Sequence, residues 1–383
     1  MLFGLFALAS SGGGADTISA SHLLVGSYTQ GKSKGIYLYR FDESAGHIFP
    51  MPLVVAKAEN PSWLTLSTDQ RYVYAVDENG PGQRDVVGRV TCFGIDRSGR
   101  LRQISQVKSL GDEPTYASLS IDGKYLFVAN YSVHADPGST LAIIPVGKAG
   151  VLQPVTQIKT QRASQVDPER QMSPHIHSAV SSPDGRFLFT PDLGADKVYV
   201  YRYDPIANAE QPLTAAPVVP FIELPPGSGP RNLVFSKDGK HAYLTLEMAG
   251  SIVVFDYGDG QLHQVQMLAM APEGVKGTEG GGAIHLSPDG RLLYATNRGS
   301  FNELLAYRVD PASGRLTPTA RRSTEGREPR EFTFDATGRY LLVANQFSNT
   351  IVVIARDPET GHLGKVVQSF AFDSPSYLQF LKD

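Results

Sequence analysis

Seven side chains of this 383-residue chain stand where they could do chemistry together: His175, His177, Arg231, Glu247, Arg298, Arg330 and Gln346. Arg231 and Glu247 lie sixteen residues apart, and so do Arg330 and Gln346. A histidine takes and gives a proton near neutral pH. Arginine offers a planar fork of donors that fits carboxylates and phosphates. Grouped, they would make a cationic funnel in a protein of net charge −3, an anion site with a titratable base beside it. Charged residues at strand ends also form plain structural ion pairs, so the reading rests on the cluster and not on any one member.

The elements that must position them come from a phrase the chain repeats. Ser-Thr-Asp-Gln-Arg-Tyr-Val-Tyr-Ala-Val-Asp begins at Ser67, and variants begin at Ser120, Ser182, Ser236, Ser287 and Asp335, spaced 53, 62, 54, 51 and 48 residues apart. Self-similarity at this period is the mark of stacked four-stranded blades. Within each phrase Asp-Gly or a relative makes a tight turn between β-branched and aromatic residues. A further strand follows: Gly35–Phe41, Val90–Ile95, Thr140–Val146, Lys197–Tyr203, Ser251–Tyr257, Glu303–Val309 and Thr350–Arg356. Counting the anchor as zero, positions −5 and +11 should face each other at the hairpin end away from the turn. Position −5 holds Ser62, Thr115, His177, Arg231, Gly282, Arg330 and, in the split copy, Ser376; position +11 holds Glu78, Tyr131, Leu193, Glu247, Arg298 and Gln346. All belong to the inner two strands of a blade and should converge on one face of the central channel.

Seven copies predict an all-β fold, a seven-bladed β-propeller of four-stranded blades. Pro375–Phe380 reads as the opening strand of a repeat and Leu23–Tyr28 as its second strand. The two termini should therefore complete one blade and close the ring, leaving only short, protected edges. The repeat runs without a linker, which makes residues 23–383 one domain. Residues 1–22 read as a tail: Leu2–Ala9 is apolar and ends in a small-residue pattern, but lacks the basic start of an export signal. The expectation is a cytoplasmic protein, or a periplasmic or exported one if residues 1–15 are a true signal. No apolar run reaches the roughly 20 residues of a spanning helix, so no membrane insertion is expected. There is no basic run to bind nucleic acid. The one cysteine, Cys92, excludes an internal disulfide. Oligomeric state is not legible.

Gly26-Ser-Tyr-Thr-Gln-Gly31-Lys32-Ser33 matches a phosphate-loop pattern, and Gly31–Gly35 a nucleophile-elbow pattern. Both chemistries need a helix to follow at once, whereas a strand does. Both are rejected. His175 and His177 share a strand face and could start a zinc site, but the register supplies no further ligand. No metal or other cofactor is expected.

The segments His175-Ile-His177-Ser, Gly229-Pro-Arg231, Glu247, Asn297-Arg298 and Glu328-Pro-Arg330 resemble those of the propeller-type 6-phosphogluconolactonase family, which also includes fungal carboxy-muconate lactonising enzymes. The likeness covers nearly all of the chain after residue 23, including Val25–Tyr37 and Pro191–Val198. It implies a seven-bladed propeller and a site of one histidine, one glutamate and arginines, carried here by His177, Glu247, Arg231 and Arg298. One departure is Asn232, where the family often has histidine. The resemblance implies hydrolysis of an anionic sugar lactone, 6-phosphogluconolactone above all, in the pentose phosphate pathway. Another lactone, such as a carboxymuconolactone, and a non-catalytic binding platform are the alternatives.

Lactone opening needs a base for the attacking water and a positive group at the developing oxyanion. His177 or Glu247 is the expected base, His177 being favoured because Arg231 opposite Glu247 should weaken that carboxylate as a base. The facing residue of His177 is expected to be Leu193, leaving it an ordinary pKa near 6.5. Arg231 and Arg298 are placed near the carbonyl or a carboxylate. Arg330, His175 and Gln346 are further substrate-binding candidates.

Overall fold

The turn phrase folds as its chemistry dictates. In the computed structural model, which describes residues 20–96, 99–275, 277 and 280–382, each anchor serine donates its hydroxyl to the aspartate two residues on. The distances are 2.6 Å for Ser67–Asp69, 2.7 Å for Ser120–Asp122 and 2.6 Å for Ser182–Asp184. The same hydroxyl accepts the backbone N–H five residues on, as in Tyr125 to Ser120 and Leu292 to Ser287, both 3.0 Å. A turn built from its own Ser and Asp side chains needs no help from neighbours. That is why the phrase can recur in blade after blade. In the last copy the first contact is reversed: Thr337 donates its hydroxyl to Asp335, which also accepts the Tyr340 N–H at 2.7 Å.

Each phrase is the first hairpin of an antiparallel sheet, and seven such sheets form the ring. Blade 1 combines Pro375–Phe380, Ala20–Ser27 and Gly35–Asp42 with two short outer pieces, His47–Ile48 and Val54–Lys57. Blades 2, 3 and 4 start at Leu64, Asp112 and Val180; blades 5, 6 and 7 start at Pro230, Gly281 and Pro329. The outer strand of blade 4 is likewise split, into Leu213–Ala215 and Phe221–Glu223. The closure by the termini is observed: Leu24 pairs with Gln379 and Val25 with Leu378. The first strand begins at Ala20, three residues before the predicted start. Residues 1–19, which hold most of the tail read from the sequence, lie outside the described residues.

Burial is distributed between blades. Among the described residues seven apolar clusters are present, each drawn from two adjacent blades; one joins Leu23, Val25 and Leu378 of blade 1 to Leu342, Ile351 and Val353 of blade 7. Leu378 is buried in the closing strand. Leu378→Ala should therefore cost about 2–5 kcal/mol, read as a lower denaturant midpoint at unchanged m-value. An unchanged midpoint would mean the closing strand contributes nothing to the ring.

The phosphate-loop look-alike is spoken for. Its Lys32 and Ser33 backbone N–H groups both bond the carboxylate of Asp373, the latter at 2.8 Å, and strand Gly35–Asp42 follows directly. These amides do bind an anion, but it is the chain's own.

Candidate active site

The ends of the inner hairpins away from the turns carry the site, and bulges shape them. Position −6 faces position +10, as in Pro230 with Leu246, Gly281 with Asn297 and Pro329 with Asn345, and the ladder shifts just beyond. Position +11 bonds back to position −7 through its N–H, as Glu247 does to Gly229 at 2.7 Å. The expected direct pairing of −5 with +11 is thus corrected by one to two residues. The reason is the extra residue of a bulge, which re-aims a side chain. His177 correspondingly lies beside Pro191, and Leu193 faces His175.

The side chains meet nonetheless. Glu247 Oε2 accepts from Arg231 Nε at 3.0 Å and from Arg298 Nη2 at 2.7 Å. Its Oε1 accepts from Arg170 Nη2 at 2.6 Å. Arg298 turns its other nitrogen to Glu328 at 2.7 Å. Arg231 and Arg298 are 3% and 8% exposed, so their charges are largely desolvated and their interactions are strong; His177 beside them is 7% exposed. Gly282, at position −5 of the intervening blade, packs tightly on the facing strand, where a side chain would strike Thr296 before it met Arg298. A Cβ there would lie 2.2 Å from Thr296 Oγ1 and 3.4 Å from Arg298 Cδ.

Burial alone would raise the Glu247 carboxyl, but Arg298 and Arg231, with His177 and Arg170 behind them, outweigh it and hold it well below the usual carboxylate range. Burial pushes His177 well below its ordinary value, and the Arg231 charge adds to the effect. His177 is therefore a neutral imidazole in this setting, and its Nδ1 is buried without a hydrogen-bond partner among the described residues. This corrects the expectation of an undisturbed histidine. Burial and the nearby Arg298 also pull Arg231 down to about 10, which still leaves it charged at neutral pH.

His175 stacks on Tyr131, ring centroids 4.4 Å apart, and its Nδ1 meets the Tyr131 carbonyl oxygen. Tyr131 in turn presents its edge to His177 at 5.8 Å. His175 thus holds a wall of the site. Arg330 of blade 7 reaches past blade 1 to Glu78 at the end of blade 2, 3.3 Å away, and lies over the Tyr28 ring at 5.1 Å. Gln346 opens a 3-10 turn and bonds Glu328 through its backbone; among the described residues its side chain makes no hydrogen bond. The predicted cationic funnel is largely offset, with Glu78, Glu247 and Glu328 set among Arg170, Arg231, Arg298 and Arg330, one arginine in excess.

Arg170 escaped the sequence reading. It sits in the segment between Lys159 and Val180, outside the repeat register. That segment is tied down by buried Gln171, whose Nε2 donates to Asp196 Oδ1 at 2.8 Å. Asp196 also accepts the N–H groups of Gly227 and Gly229, at 2.8 and 2.9 Å. One carboxylate so fixes the segment carrying Arg170 against the strand carrying Arg231. The long interval from Ser120 to Ser182 was the available signal that blade 4 is preceded by extra chain.

Below these residues a narrow cavity is lined by His177, Arg231, Arg330, Ser62, Trp63 and Tyr116. Trp63 packs between Tyr116 and Tyr377, at 4.2 and 4.5 Å. Trp63, Tyr116 and Tyr377 also line a cavity on the lower side of the channel. The three rings form a floor between the two.

Fold and site define a seven-bladed propeller with a buried arginine–carboxylate–histidine cluster at one mouth of its channel. The chain matches the family model "Lactonase, 7-bladed beta-propeller" over residues 22–380 and belongs to that family of lactone hydrolases. A 6-phosphogluconolactonase of Formosa agariphila is 33% identical over 93% of this chain and 98% of its own length; one of Bacillus subtilis is 30% identical over 93% and 97%. Among solved structures, the periplasmic gluconolactonase of Pseudomonas aeruginosa is 55% identical, with a TM-score of 0.91, over 95% of this chain and 99% of that one.

Proposed function

We propose that the protein hydrolyses the ring ester of a gluconolactone at the channel mouth, 6-phosphogluconolactone being the form named for its curated relatives. The observation that carries this reading is the contrast between His177 and Glu247. Three arginines occupy both oxygens of Glu247, so it orients them and is a poor base. Neutral His177 beside them has a free lone pair for the proton of the attacking water. Arg231 and Arg298, fixed in advance by Glu247, face the oxygen on which negative charge develops.

A second reading, unphosphorylated gluconolactone, is favoured by two observations. Each of the four arginines already meets a carboxylate, leaving little excess positive charge for a phosphate, and the 55% identical structure is that of a periplasmic gluconolactonase. Compartment follows the same choice: cytoplasmic for the phosphorylated lactone, exported for the other. No helix among the described residues is long and apolar enough to cross a membrane. Purified protein assayed against both lactones, with the spontaneous opening subtracted, decides between them. No rate above background on either would refute the proposal.

Arg298→Ala tests the clamp. Removing one charge-assisted contact should cost about 1.5–3 kcal/mol of transition-state binding, seen in kcat/KM. An equal loss on the two lactones puts Arg298 at the carbonyl, and a larger loss on the phosphorylated one puts it at the phosphate. No loss on either would leave Arg298 a structural ion-pair member.

A further inference from the structure

Position −5 of the register supplies His177, Arg231 and Arg330, and on blades 1, 2 and 3 it supplies three small hydroxyl side chains, Ser376, Ser62 and Thr115. Ser62 donates to Glu78. Ser376 and Thr115, with Asn232 next to Arg231 in the chain, line the same narrow cavity as His177. They are 2%, 5% and 8% exposed. Each carries a buried polar atom with no hydrogen-bond partner among the described residues, and His177 adds a fourth: Ser376 Oγ, Thr115 Oγ1, Asn232 Oδ1 and His177 Nδ1. Burying one polar atom unpaired is costly. Four such atoms around one space define a site for a molecule that both donates and accepts hydrogen bonds. At about 10 Å³, the cavity has room for roughly one water. Two hydroxyls, an amide oxygen and a ring nitrogen are the partners such a water needs.

We propose that one water bound in this cavity by Ser376, Thr115 and Asn232 accepts the Nδ1–H of His177 and so fixes the tautomer that leaves Nε2 as the base, a role that rests on the lactone-hydrolase reading above. A neutral imidazole has one N–H and one lone pair, and the bond made by one nitrogen decides what the other offers. With Nδ1 buried among these groups, Nε2 is the nitrogen left to meet the attacking water. The ring proton then sits on Nδ1, and the cavity water accepts it. That water gives its own two protons to Asn232 Oδ1 and to one hydroxyl, and the second hydroxyl donates to it. All four buried atoms are satisfied at once. As the attacking water adds to the carbonyl carbon, Nε2 takes its proton, and the imidazolium so formed finds its Nδ1–H already bonded. When the tetrahedral intermediate collapses and the bond to the ring oxygen breaks, Nε2 returns that proton to the departing oxygen. The cavity water is neither consumed nor moved. Ser376, Thr115 and Asn232 are positioning residues, acting through His177 and not on the lactone.

A high-resolution crystal structure of the parent should show a water at hydrogen-bond distance from His177 Nδ1 and from at least two of Ser376 Oγ, Thr115 Oγ1 and Asn232 Oδ1. No water there, or a direct bond from Nδ1 to one of these side chains, would overturn the site. Nitrogen NMR of histidine-labelled protein, with the His177 signals assigned by their loss in His177→Gln, should show the Nδ1–H tautomer at neutral pH. The Nε2–H tautomer would overturn the role and make Nδ1 and the cavity water the reacting pair. Thr115→Val combined with Ser376→Ala removes both hydroxyls at little change of shape. An acceptor at Nδ1–H favours the charged imidazolium. Loosening the water should therefore lower the pKa of His177, so that the acid limb of kcat/KM moves to lower pH. It should also cut kcat by about 10-fold, part of what a positioned base supplies, with KM little changed. A lower denaturant midpoint with an unmoved limb would mean a purely structural role and overturn the proposal. The crystal and NMR measurements need no turnover, so they stand apart from the lactone-hydrolase reading, which activity of the parent on gluconolactone tests.

Discussion

His177→Gln should cut turnover on the preferred lactone by roughly 10²–10⁴-fold with KM little changed. Glutamine keeps the size and polarity of the side chain but cannot hold a proton. The pH dependence of the parent carries the same information. A base must be neutral to act, and burial followed by the Arg231 charge shifts His177 well below its ordinary value. The acid limb of kcat/KM should therefore lie below pH 6.5. A limb at or above that pH would place the titrating base elsewhere. If Glu247→Gln abolishes activity while His177→Gln leaves it within a few-fold, the two roles are reversed.

Glu247→Ala should be the most destabilising single change at the site. It strands Arg231, 3% exposed, without its carboxylate, while Arg298, 8% exposed, keeps Glu328 alone. Removing one partner of a buried ion pair costs about 3–5 kcal/mol, because the remaining charge is left desolvated and unpaired. Arg170 adds little to this, since its side chain is 43% exposed and exposed pairs are weak. Chemical denaturation should show a clearly lower midpoint. Glu247→Gln, which still accepts hydrogen bonds, should lose less. A Glu247→Ala protein as stable as the parent would mean that the arginines are hydrated, contrary to the packing described.

The ring was legible because its determinants are local and repeated. Ser120, Asp122 and Gly123 make their turn with one another, so the sequence shows the hairpin without knowledge of the rest. Strands Lys197–Tyr203, Glu303–Val309, Thr350–Arg356 and Pro375–Phe380 fall where alternation puts them. The meeting of Arg231 with Glu247 was legible in the same way, from hairpin register. The bulges were not, since a single extra residue leaves no mark on composition. The charge balance was misjudged for a related reason: Glu78 and Glu328 reach the arginines across blades, and no spacing along the chain reports distance around a ring. Glu78 nonetheless stood in the same register column as Glu247. Arg170 was the hardest to find, because it belongs to a segment without a repeat partner.

The aromatic floor of Trp63, Tyr116 and Tyr377 bears on how the reaction cycle ends. Those rings stand between the upper and lower cavities; under the function proposed above, the hydroxy acid would depart by the mouth through which the lactone arrived. Its newly formed carboxylate would pass Arg231 and Arg298 on the way. Under the function proposed above, the aldonate should compete with substrate for the free enzyme, raising the apparent KM at unchanged kcat, and should slow the late part of a progress curve as it accumulates.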